Sequence, residues 1–138
     1  MVDFMFKPTV ETAKGPQSIL HMTDKKEENT ASYGGRIPAL WLDSFGRLRI
    51  ECARDNIGER THFLQGLHVG KWTKITVTQE YSLKFLKSSY RVLIDGVERV
   101  NVENAQEGEF RDVRVYASNP WHDAQSGFIK DLSVKGKM

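Results

Sequence analysis

The sequence predicts an all-β chain, an antiparallel sandwich or barrel, and three observations carry that prediction. Hydrophobic residues recur at a period of two almost throughout, the spacing that puts alternate side chains on one face of a strand. These runs are short, and turn-forming residues separate them. No helical period lasts for three turns.

Each element can be justified in order. "VDFMFKP" alternates Val2, Phe4 and Phe6 against Asp3, Met5 and Lys7. "SILHMT" sets Ile19 opposite Leu20, and "RIPALWLD" reads as a strand with Pro38 near its start, which suits an edge or a bulge. "GRLRIECA" alternates Leu48, Ile50 and Cys52 against Arg47, Arg49 and Glu51, and "RTHFLQGLHV" is a weaker strand. "KWTKITVTQE" carries Trp72, Ile75 and Val77 among Thr and Lys, and β-branched and aromatic residues favour strands. "YRVLIDGVERVNVE" contains Asp95-Gly96, the clearest hairpin signal in the chain. "EFRDVRVYAS" and "GFIKDLSVKG" complete the set, the first with imperfect alternation. "TDKKEENTASYGG" and "ENAQEGE" read as solvated connections.

The chain has 138 residues, the size of one domain, and residues 1–138 are expected to form a single sandwich with its own core. Formal net charge is +2, with acids and bases mixed throughout; a nucleic-acid binder would show a clustered basic stripe, so no nucleic-acid partner is expected. No stretch approaches the roughly 18 apolar residues of a membrane helix, so no membrane insertion is expected either. Cys52 is the only cysteine; an internal disulfide is ruled out, and a small buried hydrophobe is the expected role. "MVDFMFKP" lacks the pattern of a signal peptide.

Several blocks resemble the concanavalin A-like lectin/glucanase superfamily, and within it the laminin-G-like jelly rolls. The first is "VGKWTKITVTQE" followed by "YRVLIDGVERV", where Trp72, Ile75, Val77 and Asp95-Gly96 match. The others are the closing strands "FRDVRVYASNP" and "GFIKDLSV", and the earlier hairpin "IPALWLDSFGRLRIEC" with its Ser-Phe-Gly tip. The resemblance runs from about Arg36 to Val134. It implies a two-sheet antiparallel jelly-roll sandwich that recognises glycans or protein partners through its concave face or rim loops. Calcium is frequent in that superfamily but not universal, so no cofactor is required here and calcium stays open. An extracellular setting is implied, although neither a signal peptide nor a disulfide supports it. Trp72 is expected to enter the core, contributing about 2–3 kcal/mol; Trp41 and Tyr90 are expected to pack on the sheets.

The chemistry of catalysis is sparse. A glycosidase on this plan needs paired carboxylates on one strand face, whereas Glu51, Asp55 and Glu59 recur at a spacing of four around an expected turn at Asn56-Ile57-Gly58. The chain is therefore expected not to be an enzyme; a polysaccharide hydrolase or lyase would need the missing pair. His21, His62, His68 and His122 are scattered, without zinc spacing. "LDSFG", "ARDNIGE" and "NPWHDAQ" could each offer one or two oxygens to calcium, but none is a calcium loop.

Sugar recognition needs an aromatic face and planar polar groups. "NPWHDAQ" supplies both, in Asn119, Trp121, His122, Asp123 and Gln125, stiffened by Pro120. "CARDNIGER" adds Arg54, Asp55 and Asn56, with Arg54 suited to a carboxylate or sulfate. Each residue has a plainer role too: Trp121 as a cap on the core, Asp123 as a turn residue, His122 and "ARDNIGER" as solvated loop. The leading expectation is a lectin-like, carbohydrate-binding domain for glycans or glycoproteins, with a homo-oligomer or tandem copies supplying avidity. The alternative is a laminin-G-like module for protein–protein contact or cell adhesion.

Overall fold

A computed structural model describes residues 1–9, 16–24, 35–54, 57–104, 111–118 and 126–136; the side chains of 53, 54 and 57–60 are not described. Among these residues every regular element is a strand: β1 (Val2–Pro8), β2 (Gln17–Thr23), β3 (Ala39–Leu42), β4 (Leu48–Arg54), β5 (Ile57–Leu64), β6 (Thr73–Ser82), β7 (Lys87–Ile94), β8 (Val97–Asn104), β9 (Arg114–Tyr116) and β10 (Gly127–Val134). They form two antiparallel sheets of five strands, in the orders β10-β1-β6-β7-β8 and β5-β4-β3-β2-β9. The all-β sandwich expected from the period of two is what forms.

The register explains the core. In the first sheet, Phe4 faces Ile75 and Ile75 faces Ile94, while Val2 lines up with Val77, Val92 and Val100. In the second, Leu20, Leu40 and Ile50 lie in one row, with Leu42, Leu48 and Leu64 in the next. These two faces close on each other as one buried cluster. Each fully buried Leu, Ile, Val or Phe contributes about 1.5–3 kcal/mol relative to exposure. His62 of β5 stacks on Tyr90 of β7 across the layers, ring centroids 6.1 Å apart.

Three local expectations change. The register shifts between Ser18 and Leu20, so Ile19 and Leu20 both reach the core instead of alternating. β3 starts at Ala39 and lies between β2 and β4, not at an edge; Pro38, in a cis peptide with Ile37, stands just outside it, where its missing N–H removes no ladder bond. Arg54 pairs with Ile57 and β5 begins there, so Ile57 and Gly58, expected in a turn, belong to a strand.

Asp95 (φ 50°) and Gly96 (φ 79°) both take the left-handed conformation that a two-residue hairpin turn requires. The Asp95 carboxylate also accepts a bond from the Lys74 N–H at 2.8 Å, tying the turn to β6. The first and last strands are neighbours: β1 pairs with β10, Val2 opposite Val134. Beyond them the Met1 ammonium donates to the Lys135 carbonyl at 2.6 Å, and the Lys135 N–H donates to the Met1 carbonyl at 2.8 Å.

Candidate functional site

Asn119, Trp121, His122, Asp123 and Gln125 lie outside the described residues, as do Asp55 and Asn56. Their flanks are placed. Gly127 sits opposite Pro8, and the Thr9 N–H donates to the Ser126 carbonyl at 2.9 Å, at one end of the first sheet. Arg54 closes β4 at the other end, toward which β2 runs to Thr23. Only the backbone of Arg54 is described.

Beside Gly127, the outer face of the first sheet carries a cluster of rings and lysines. Thr73, Ile75 and Val77 point into the core, so the even-numbered Trp72 points outward; its expected role as a core ring is corrected by that parity. Lys7 and Phe128 face each other across β1 and β10, and Met5 faces Lys130. The Lys7 ammonium lies 4.9 Å from the Trp72 ring centre and 5.3 Å from that of Phe128; Lys130 lies 4.1 Å from Trp72. Such cation–π contacts hold an exposed ammonium in place with about 0.5–1 kcal/mol. Among the described residues neither lysine has a carboxylate partner, whereas Lys74 nearby is drawn to Asp3 at 3.5 Å. Phe128 is 57% exposed. The cluster thus offers two uncompensated positive charges around half-buried and exposed rings.

The outer face of the second sheet is chemically denser, and closed over β2 and β3. Ser18, His21, Thr23, Ala39, Trp41 and Glu51 are all buried there. Glu51, fully buried, binds Arg36 at 2.5 Å and is also paired with Arg49. His21 Nε2 donates to the Gly35 carbonyl at 2.8 Å, its ring edge-on to Trp41, while the Arg36 guanidinium lies 5.9 Å from the Trp41 ring centre. Trp41 and Tyr90 pack as expected, at 3% and 2% exposure.

A cleft of ≈ 280 Å³ opens between the sheets at the Arg54 end, lined mainly by apolar residues such as Met22, Val77 and Val115. Cys52 lines it and is half-buried, a more open setting than expected. In "LDSFG", the Asp43 carboxylate accepts bonds from the N–H groups of Phe45 (2.9 Å) and Arg47 (2.8 Å) and from Arg47 Nε (2.8 Å). Its acceptor capacity is thus largely spent on its own turn. Among the described residues no group of three or more His, Cys, Asp or Glu is arranged to hold a metal ion. On the open face of β8, hydrogen bonds from Asn101 and then Arg91 hold the Glu98 carboxyl below its ordinary pKa.

No protein-family model matches the chain, and no curated protein matches it. A solved structure titled botulinum neurotoxin type G receptor binding domain superposes with a TM-score of 0.62 at 13% identity. The likeness is one of fold. It covers 95% of this chain and 32% of the other, so the chain spans about a third of that structure's length. Two antiparallel sheets stacked as a β-sandwich are therefore common to both.

Sequence reasoning missed Lys7, Phe128 and Lys130 as candidates. A signal existed: Lys7 alternates with Phe6, and Phe128 and Lys130 flank Ile129, which faces Phe6. Parity assigns all three to an outer face. What the sequence could not supply was the pairing of β1 with β10 that brings them together.

Proposed function

We propose that the chain is a non-catalytic binding module whose ligand is an acidic glycan, taken on the outer face formed by Lys7, Trp72, Phe128 and Lys130. The observation that carries this reading is the pair of lysines held over one indole ring with no carboxylate partner among the described residues. Ammonium groups fixed in this way need little ordering to meet a sulfate or carboxylate. The exposed Phe128 ring supplies the apolar surface that a sugar's C–H face packs against. Asn119 to Gln125 immediately precede Ser126 and the β10 strand, so the rim residues named from sequence adjoin the same end in the chain. The superposing structure is, by its title, itself a receptor binding domain, which supports a binding role on this fold.

The test is an array of neutral, carboxylated and sulfated glycans probed with the wild type, the Lys7→Ala/Lys130→Ala double variant and Trp121→Ala. The expected result is binding confined to acidic glycans and lost in the double variant, with thermal stability within about 0.5 kcal/mol of wild type, as for surface changes. Binding that survives in the double variant and is lost in Trp121→Ala moves the site to the rim loop. Failure of the wild type to bind any glycan overturns the reading.

A further inference from the structure

The β6–β7 hairpin ends in a turn that neither the core nor the turn geometry accounts for. Leu83, Phe85 and Leu86 form its tip and are 83%, 63% and 74% exposed. The turn is held by its own polar group, the Phe85 N–H donating to Ser82 Oγ at 3.3 Å. Leu86 adopts φ 54°, a conformation that suits Gly or Asn and is strained for a bulky residue. The other hairpin of this sheet places Asp and Gly at such positions. Here large apolar side chains stand in water, in one case against the backbone preference. Clustered exposed apolar residues mark an interaction site.

We propose that residues 83–86 seat the protein on an anionic lipid surface. The setting favours a bilayer over a protein: residues 83–86 lie beyond both neighbouring strands, since the pairing of β1 with β6 stops at Val77 and that of β8 with β7 at Ser88 opposite Asn104. A tip that presents three apolar side chains to water finds apolar surroundings for all of them in a fluid phase. The charge favours anionic lipid: the segment Tyr81 to Lys87 contains Lys84 and Lys87 and no acid. Lys84 lies 5.3 Å from the Phe85 ring centre and has no carboxylate partner among the described residues. Lys87 meets Glu103 at 3.1 Å on the flank. A lysine stem can run beside buried apolar groups while its ammonium stays among the headgroups. Half-exposed Tyr81, one step above, suits the interfacial level. The tip and the Lys7–Trp72 cluster sit at opposite ends of the first sheet, so docking would leave that cluster facing away from the membrane.

The test is flotation of the whole chain with vesicles of phosphatidylcholine, with and without phosphatidylserine. Variants are Leu83→Ser/Phe85→Ser/Leu86→Gly, in which glycine relieves the positive φ, and Lys84→Glu. The expected result is flotation with the anionic vesicles, weakened about tenfold or more in the triple variant and also weakened in Lys84→Glu, with unchanged β-sheet circular dichroism in both. A wild type that floats with neither vesicle overturns the proposal. So does undiminished flotation of the triple variant. If the wild type instead self-associates in sedimentation and the triple variant does not, the tip belongs to a contact between copies and the proposal fails. None of these readouts depends on glycan binding.

Discussion

Glu51 shows what a single residue can hide. Alternation assigns it to the outer face of β4 beside Arg49, and that assignment is right. Periodicity identifies a face; it does not say whether that face meets water. Here the part of that face formed by β2, β3 and Glu51 is buried, so a residue that reads as solvated becomes a fully buried carboxylate between two guanidiniums. Removing one partner of a buried ion pair leaves the others uncompensated, at a cost of about 3–5 kcal/mol. Glu51→Ala should therefore lower the urea midpoint sharply while leaving the denaturant slope unchanged. Restoring it to wild type by a remote surface change would argue against this lock. Trp72 is the mirror case: its size suggested the core, and its parity placed it outside.

At the level of elements, local chemistry was legible wherever it dictates a backbone conformation. Asp95-Gly96 predicted its hairpin because both residues must take positive φ, and they do. A Cβ added at Gly96 would meet nothing within 4 Å, so Gly96→Ala tests the backbone term alone. It should destabilise by about 1 kcal/mol, read as a lower melting temperature with an unchanged fold. Strand limits were less legible. "RIPALWLD" shortens to Ala39–Leu42 because the chain reaches its ladder only after Pro38, and among the described residues of "EFRDVRVYAS" only Arg114–Tyr116 find partners on β2. The β6–β7 tip carries no Gly, Pro or Asn/Asp-Gly pair, so no turn signal marks "SLKFLK" in the sequence.

For the whole molecule, the sandwich itself followed from the period of two, while the strand order did not. Which strands are neighbours depends on pairings between residues far apart in sequence, and β1 with β10 is the extreme case. That pairing builds the candidate site: Lys7 comes from the first strand, Phe128 and Lys130 from the last, and Trp72 from the approach to β6. A reading that moves along the chain meets these residues separately. It favours clusters contiguous in sequence, such as Asn119 to Gln125.

The paired ends have one more consequence. Because Met1 and Lys135 exchange two backbone hydrogen bonds, the polypeptide is nearly a closed ring, and where it is cut is a matter of convention. A variant in which a short glycine-serine linker joins Met138 to Met1, reopened between Leu83 and Lys84, should fold to the same circular dichroism spectrum and melt cooperatively, since exposed tips tolerate new ends. The same geometry suits the domain to being carried as an insert within a larger chain, entering and leaving the host at one point.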